Sequence, residues 1–372
     1  MRRILWITSE YHPRTGGIET YVKTITDRLS GSYTIGLIAG PQQYPSSTQN
    51  IQHLASLNLS YPQTEEEFNK VSGNLVRSAR CFNPTVIHLA SAGLAVYAAQ
   101  LEPIAPLICT VHCKDLTQPW QSTPGRIPQA EIRRGLLRCR TVICVSRYTQ
   151  RFLHSLVPEI QSTVITHGID IPGRPLGCRP APPRPRLISV SRLVPRKGHA
   201  LLAKALANVH MPFFWDIVGD GPERGNVESC LSRWSLGGKA SMHGRVRDDR
   251  LRQLLSTATL FALTPVEIHS VSGIDAEGFG LVYLEAAVHG LPAIASAASA
   301  AEEIIVPGHT GILVDPENTD MFAAAIIDLF AHPDRCREMG EAAREHVQRQ
   351  FGMDRHIDAL IRVYAAAYGA SP

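Results

Sequence analysis

Long apolar runs are missing from this sequence: none has the roughly 18 to 20 consecutive residues that a membrane-spanning helix needs. The chain also lacks a positively charged start followed by a short apolar segment, which is the pattern of a secretory signal. These two absences exclude a spanning helix and a signal peptide. We therefore expect a cytoplasmic protein, with peripheral contact at the inner face of the membrane as the remaining option.

Cysteine spacing that would hold a metal is missing as well. The 8 cysteines include no Cys-x-x-Cys pair, and several lie in apolar, strand-like runs such as 141–145. Scattered cysteines of this kind are typical of reduced, buried thiols in an intracellular protein. We therefore predict no structural metal site.

A strong charge imbalance is the third absence, since 37 basic and 33 acidic residues leave a net charge of only +4. The basic residues do not cluster with interleaved aromatic residues, so nucleic acid is excluded as a partner. One basic segment, 132–140, mixes four arginines with apolar residues. This segment fits a membrane surface for a lipid-linked acceptor, and it also fits a solvated helix face.

The sequence does contain two similar halves. A length of 372 residues predicts two domains, and each half alternates short β-branched runs with helix-length stretches, which is typical of a parallel sheet covered by helices. The predicted strands of the first half are 4–8, 34–39, 86–90, 107–111, 141–146 and 163–166. Those of the second half are 187–191, 213–218, 240–243, 260–263, 293–296 and 311–314. Proline-rich residues 173–186 predict a stiff linker.

The most informative segment is 276–286, where Glu277 and Glu285 stand eight positions apart around a glycine-broken turn. Glu277 precedes a predicted helix, and Glu285 lies about one turn inside it. The amides of Phe279, Gly280 and Leu281 would point the same way from the start of that helix. Carboxylates accept hydroxyl protons and a helix N-terminus binds anions, so this segment predicts a polyhydroxyl ligand that carries phosphate. Ordinary amphipathic helices also carry such glutamates.

A basic loop far upstream supports the phosphate interpretation. The predicted strand 187–191 ends in a loop that carries Arg192 and Lys197. A guanidinium binds a diphosphate as a fork and an ammonium binds it as a point charge. We call Arg192 and Lys197 the phosphate clamp.

Two further candidates follow strands of the first half. Gly16 and Gly17 lie between the strand 4–8 and a predicted helix, where backbone amides without side chains could face an anion; a plain turn is the alternative. His112 directly follows the strand 107–111, and the carboxyl ends of parallel strands are where α/β proteins bind ligands. A structural histidine is the alternative for His112, and His167 is interpreted as a structural loop residue.

In order and spacing these residues resemble the retaining glycosyltransferases of family 4. The resemblance covers nearly the whole chain. The matching segments are Arg192 with Lys197, Glu277 with Glu285, 308–316, 16–19, 110–112, 145–146 and 167–170. One departure lies after the strand 293–296, where the family usually has paired glycines and this chain has Ser299 and Ala300.

The resemblance implies an α/β fold of two Rossmann-like doubly wound domains that face a central cleft, the GT-B fold. Residues 1–172 would form the acceptor domain, completed by the C-terminal helix 354–372, and residues 187–353 would bind the nucleotide sugar. The resemblance also implies roles for single residues. Gly16 and Gly17 would contact the donor diphosphate, His112 and Glu277 would act on the transferred sugar, and Glu285 would hold the ribose.

The predicted function is transfer of a hexosyl group from a nucleoside-diphosphate sugar to an acceptor hydroxyl of a glycan, glycolipid or small molecule, with the anomeric configuration retained. The phosphate clamp would replace a metal ion, so no metal and no cofactor are expected. The form of 275–280 and the longer loop 266–275 look most like mannosyltransferases that use GDP-mannose, and a UDP-hexose is the second choice. Asp248 could accept from guanine, or it could be a first-turn acid of a helix.

Other functions fit the residues less well. A dinucleotide fingerprint near Gly219 is rejected, because its third glycine is misplaced and Asp220 would repel a pyrophosphate. The triplet Asp275 to Glu277 imitates a metal-binding motif of single-domain glycosyltransferases, which this chain does not resemble. A nucleotide-sugar epimerase of the same fold, or a non-catalytic nucleotide-sugar-binding protein, remains as the alternative.

Overall fold

The structure is a computed structural model that describes residues 2–9, 11, 17–40, 50–59, 64–117, 129–171, 184–270 and 273–369. Gly16 and most of the predicted linker 173–186 lie outside these residues. The chain divides into two compact units. The first unit contains Met1–Gly168, His269–Ile274 and Asp354–Pro372, and the second contains Ile169–Ile268 and Asp275–Met353.

The first unit is built on a parallel sheet of 7 strands in the order β3-β2-β1-β4-β5-β6-β7. Its strands are β1 (Arg3–Thr8), β2 (Thr34–Ala39), β3 (Ile51–Ser56), β4 (Val86–Leu89), β5 (Leu107–Val111), β6 (Thr141–Cys144) and β7 (Ser162–Val164). Its helices are α1 (Gly17–Leu29), α2 (Glu65–Phe82), α3 (Ala98–Leu101), α4 (Lys114–Thr117), α5 (Gln129–Leu136) and α6 (Arg147–Leu156). All residues of β4 and β5 are buried, as expected for central strands covered on both faces.

The second unit has a parallel sheet of 6 strands in the order β10-β9-β8-β11-β14-β15. The strands that follow β7 are β8 (Arg186–Val190), β9 (Phe214–Val218), β10 (Ala240–Gly244), β11 (Leu260–Leu263), β12 (Ile268–Ser270), β13 (Gly273–Asp275), β14 (Ala293–Ser296) and β15 (Gly311–Val314). The helices that follow α6 are α7 (His199–Ala207), α8 (Arg224–Arg233), α9 (Asp248–Thr257), α10 (Leu281–Val288), α11 (Ala301–Ile304), α12 (Thr319–Ala331), α13 (Pro333–Gln350) and α14 (Met353–Ala367). The short strands β12 and β13 pair only with each other among the described residues.

In the second sheet the direction of strand addition reverses beside β8, whose neighbours are β9 and β11. Loops that leave β8 and β11 on the carboxyl side therefore start next to each other. Ligands of doubly wound sheets bind at such a switch point. The loop after β8 carries the phosphate clamp, and the chain after β11 leads to Glu277.

The C-terminal helix α14 groups with the first unit from Asp354 onward. The hydroxyl of Tyr364 on this helix lies 2.7 Å from Nδ1 of His88, and Nε2 of His88 lies 2.7 Å from Oγ1 of Thr110. Trp6 stacks on the His88 ring with centroids 3.8 Å apart. Burial lowers the pKa of His88 to about 3, so this buried network holds α14 with a neutral imidazole.

The predicted fold class is confirmed, because both units are Rossmann-like α/β sheets with parallel strands. Every predicted strand is present, with its ends shifted by at most two residues. The edge strand β3 was not predicted. Its polar residues Gln52 and His53 are exposed and break the apolar run on which the prediction depended. The central cleft stays a prediction.

Candidate functional site

Four charged side chains of the second unit form one buried cluster: Arg196, Lys197, Asp275 and Glu277. Lys197 Nζ donates to Oε2 of Glu277. Arg196 donates through Nε to Oδ1 of Asp275 at 3.1 Å and through Nη1 to Oε2 of Glu277 at 3.5 Å. The side chains of Lys197 and Glu277 are only 8% and 15% exposed. Two cations therefore balance two carboxylates, and of the four side chains only that of Asp275 is about a third exposed.

Close packing of the loop after β8 places this cluster. The loop makes a short 3-10 turn, Pro195–Lys197, and Gly198 then takes a left-handed φ of 67°. Thr264, which follows β11, donates from Oγ1 to the Gly198 carbonyl at 2.6 Å. A Cβ at residue 198 would lie 1.9 Å from the Thr264 carbonyl oxygen. Only glycine therefore lets the loop lie against the end of β11.

The positive charges of Lys197 and Arg196 keep the Glu277 carboxyl ionised. Burial by itself would raise the pKa of the Glu277 carboxyl, but the charges of Lys197 and Arg196 outweigh burial and hold that pKa below its ordinary value. Burial lowers the pKa of Lys197, and Glu277 opposes that effect. A buried pair of this kind is costly to break from one side, because the remaining charge has no counter-charge.

The two members of the phosphate clamp differ in their surroundings. Lys197 is engaged with Glu277, whereas Arg192 is exposed and forms no ion pair within the described residues. The charge of Arg192 contributes to the lowered pKa of both Lys197 and Glu277, so the three groups are neighbours. Arg196, which the sequence prediction did not include, is the second buried cation. Its binding of a diphosphate, like that of Lys197, stays a prediction.

Helix α10 begins at Leu281 after Gly280, which has a φ of 93° and provides no side chain to cap the helix. A Cβ at Gly280 would lie 2.7 Å from the Tyr283 ring. Phe279 is buried beside this turn, with 3% exposure. No side chain caps the start of α10, and the N-termini of helices are sites where phosphate binds.

Glu285 lies one turn inside α10 and is half-buried. Burial raises the pKa of its carboxyl to about 7, and the negative charge of Asp248 adds to the effect. Asp248 is exposed and is the first residue of α9, as the helix interpretation predicted. The two carboxylates are therefore close enough to interact, and Glu285 is the one whose charge changes near neutral pH.

Ser299 occupies the place where the family usually has glycine. Its φ of 57° is left-handed, which a glycine adopts without cost and a serine adopts rarely. Ser299 is buried, with 7% exposure. Ser299 therefore takes a backbone conformation that favours glycine.

In the first unit, His112 directly follows β5 and is half-buried. Its Nε2 lies 3.1 Å from the Ala90 carbonyl oxygen and donates to it. The ring stacks on His167 at 5.6 Å and meets the edge of Tyr21 at 5.6 Å. Gly17, the first residue of α1, is exposed, and Gly16 lies outside the described residues.

His167 was separated from His112 in the sequence prediction, but the structure brings them together. His356 of α14 joins the same group, with its ring 6.5 Å from His167, and its Nδ1 donates to the Thr166 carbonyl oxygen at 2.7 Å. Burial lowers the pKa of His167 well below its ordinary value and that of His356 to about 4. One signal could have found His167, because it too follows a predicted strand.

Two other predictions concern metals and membranes. No group of three or more metal-ligating side chains is found in the described part of the chain. Across the same residues, no helix is both long and apolar enough to cross a membrane.

Three arginines of the basic segment pair with carboxylates: Arg133 with Glu159, Arg134 with Glu131, and Arg138 with Glu102. These pairs favour the solvated helix face over a membrane surface.

Two family models of glycosyltransferases match successive parts of the chain. Residues 15–171 match the family model "Glycosyltransferase Family 4", and residues 179–346 match "Glycosyl transferases group 1". A GDP-mannose-dependent alpha-(1-6)-phosphatidylinositol monomannoside mannosyltransferase of Mycobacterium tuberculosis is 27% identical over 384 aligned residues, which cover 95% of this chain and 96% of that protein.

Solved structures share the fold. A glycosyltransferase of Rickettsia africae has a TM-score of 0.80 at 20% identity, with coverage of 100% of this chain and 99% of that chain. The sucrose-phosphate synthase of Thermosynechococcus elongatus has a TM-score of 0.79 at 21% identity, with both chains fully covered at 100%.

Proposed function

The chain belongs to the two-domain glycosyltransferases of family 4, and we propose that it transfers a mannosyl group from GDP-mannose to an acceptor hydroxyl with retention of the anomeric configuration. The observation that carries the proposal is the buried contact of Lys197 with Glu277 beside the uncapped start of α10. The mannosyltransferase of Mycobacterium tuberculosis supports the choice of donor, since its name states dependence on GDP-mannose.

The phosphate clamp would assist the departure of the nucleoside diphosphate, which is the leaving group of the reaction. As the bond from the anomeric carbon to the diphosphate lengthens, positive charge develops on the sugar ring and negative charge on the diphosphate. Arg192, Lys197 and the first amides of α10 stabilise that negative charge. An ammonium has three donor protons, so Lys197 can hold Glu277 and a phosphate oxygen together. We expect no metal to be needed.

Glu277 would orient the sugar. Because its pKa is lowered, it is ionised at neutral pH and accepts hydrogen bonds from sugar hydroxyls. Same-face attack accounts for retention: the acceptor oxygen bonds to the anomeric carbon, the bond to the diphosphate breaks, and the acceptor proton passes to the leaving phosphate oxygen. Glu285 would hold the ribose hydroxyls, and His112 would bind a hydroxyl of the transferred sugar.

Base recognition would involve Asp248, which interacts with Glu285. The Watson–Crick edge of guanine presents two neighbouring donors, N1–H and N2–H, which match the two oxygens of a carboxylate. Uracil presents a single donor between two carbonyl oxygens, which a carboxylate would repel. An Asp248 that reads the base therefore favours GDP over UDP. The acceptor that fits the relative's name is a glycolipid met at the inner face of the membrane.

A nucleotide panel tests the donor. GDP, UDP and ADP are added in turn at one concentration, with EDTA present, and thermal unfolding is followed. We expect GDP to stabilise most, by about 2.7 kcal/mol when its concentration is 100 times its Kd. Arg192→Ala should reduce the shift for every nucleotide, whereas Asp248→Asn should reduce only the advantage of GDP. Equal shifts with GDP and UDP would remove GDP-mannose as the preferred donor.

Glu285 gives a separate prediction about pH. Its raised pKa means that ionisation, which occurs in the unfolded chain near pH 4.5, is resisted in the folded protein until about pH 7. The carboxyl therefore lowers stability as the pH rises through that window. Glu285→Gln should raise the free energy of unfolding of the ligand-free protein at pH 8 by up to about 3 kcal/mol.

The same variant should bind GDP about tenfold more weakly, because a charged acceptor of the ribose hydroxyls is lost. Urea unfolding at pH 5 and pH 8 and calorimetric titration with GDP provide the two measurements. A stability difference of equal size at both pH values would contradict the assigned cause. Unchanged GDP affinity would remove Glu285 from the ribose site.

A further inference from the structure

One carboxylate ties together the loops that follow two neighbouring strands of the first unit. Asp115 accepts from the backbone N–H of His112 through Oδ1 at 2.8 Å. Its other oxygen, Oδ2, accepts from the backbone N–H of Ala92 at 2.8 Å. Ala92 follows β4 and His112 follows β5. The Asp115 side chain therefore fixes the position of the two loops at the carboxyl edge of the sheet.

The turn that carries His112 is strained. Cys113, the next residue, is fully buried and has a left-handed φ of 77°. Such a conformation costs a residue other than glycine roughly 1 kcal/mol or more and persists only where the surroundings impose it. The hydrogen bond from the His112 amide to Asp115 spans Cys113 and closes the turn in that shape.

The His112 ring is held by the same pair of loops. Its Nε2 donates to the carbonyl oxygen of Ala90, two residues before the amide that Asp115 binds. This bond puts a ring proton on Nε2. The backbone and the ring of His112 are thus both held in place relative to the loop after β4. Asp115 is the side chain that joins this loop to the loop after β5.

We propose that Asp115 is a positioning residue that holds the His112 imidazole in the orientation required for sugar transfer. The proposal rests on the proposed function, in which His112 binds a hydroxyl of the transferred sugar. Asp115 acts through His112 and needs no contact with substrate. A displacement of about 1 Å at a reacting group can cost roughly 100-fold in rate, so a loosened turn should lower turnover strongly.

Aspartate is suited to this task because each of its two oxygens accepts one backbone N–H. In asparagine one oxygen is replaced by an NH₂ group, which cannot accept and would face an N–H. Asp115→Asn therefore breaks one of the two bonds with little change in shape. The expected effect is a fall in kcat of roughly 10- to 100-fold, with the KM for the donor within about twofold of the native value.

A double-mutant cycle separates positioning from a merely structural role. The full-length protein is assayed for GDP release from GDP-mannose, with methyl α-mannoside as the acceptor, as wild type, Asp115→Asn, His112→Ala and the double variant. If Asp115 acts through His112, the double variant should have the turnover of His112→Ala alone. Multiplying losses would overturn the proposal, as would unchanged turnover of Asp115→Asn.

Thr64→Ala is the matched control in the same unit. The Thr64 hydroxyl also accepts from a backbone N–H, that of Glu67 at 3.1 Å, and its loss should lower the melting temperature by roughly 2 to 4 °C without changing kcat. If Asp115→Asn proves too unstable to assay, Asp115→Glu keeps the charge but has a longer arm that cannot make both bonds. The same fall in kcat is then expected.

A spectroscopic measurement keeps this proposal distinct from the proposed function. In protein with isotope-labelled histidine, the His112 ring signals are identified by their loss in His112→Ala. Asp115→Asn should shift or broaden those signals, and Thr64→Ala should not. If wild type releases no GDP, the proposed function fails while the spectra still test Asp115. Unchanged His112 signals in Asp115→Asn would overturn the positioning role.

Discussion

Replacing Glu277 by glutamine is expected to lower kcat about 1,000-fold and to cost about 3 kcal/mol of unfolding free energy. The loss of turnover follows because glutamine cannot provide the ionised acceptor that the lowered pKa of Glu277 maintains. The loss of stability follows because Lys197 and Arg196, both largely buried, lose a counter-charge. Steady-state rates and urea unfolding of the same preparation measure the two effects.

A second variant separates the two effects. Lys197→Met removes the cation and keeps a side chain of similar length, so Glu277→Gln with Lys197→Met leaves Arg196 paired with Asp275. The double variant should recover most of the lost stability, because replacing both members of a buried pair avoids an isolated charge. It should recover none of the turnover. Near-native turnover of Glu277→Gln alone, measured at a temperature at which this variant stays folded, would show that Glu277 only supports the fold.

Acidification from pH 6.5 to pH 5 is expected to lower the free energy of unfolding of the first unit by about 5 kcal/mol. His88, His167 and His356 are buried there, and burial lowers the pKa of each below its ordinary value, to about 3 for His88 and about 4 for His356. The unfolded chain therefore takes up protons first as the pH falls below 6.5. Each histidine then costs about 1.6 kcal/mol between pH 6.5 and pH 5.

Hydrogen exchange of the amides in β4 and β5, followed by mass spectrometry between pH 5 and pH 8 and corrected for the intrinsic pH dependence of exchange, measures this loss for the first unit. His88→Gln is the control, because glutamine can bond to both Thr110 and Tyr364 without titrating. The variant should lose about one third of the pH dependence. Protection that does not change with pH would show that these imidazoles are not the source of acid sensitivity.

The sequence predicted the sheets well because their strands are short apolar runs separated by helix-length stretches. Glu277, Glu285 and Lys197 were predicted as site residues because their spacing resembles a family motif, and that role stays a prediction. The sequence did not predict contacts between residues that are far apart along the chain. Arg196 binds Asp275 across 79 positions, and no local pattern distinguishes it from a solvated arginine.

The contacts within the first unit likewise join residues that are far apart in the sequence, so local patterns did not predict them. His167 was interpreted as a loop residue, yet it stacks on His112 because both follow strands that end at the same edge of the sheet. Asp115 was not among the predicted site residues. Its role depends on Ala92, 23 positions away, which a motif within one loop does not reveal.

During synthesis on the ribosome the N-terminal domain of a protein usually folds first. The buried hydrogen bond between His88 and Tyr364 reverses that order here. The two residues are 276 positions apart, so at ordinary rates of about 5 to 20 residues per second Tyr364 is synthesised about 15 to 55 s after His88. Until α14 is made, the first unit lacks a helix of its own core. The first unit is therefore completed after the second unit.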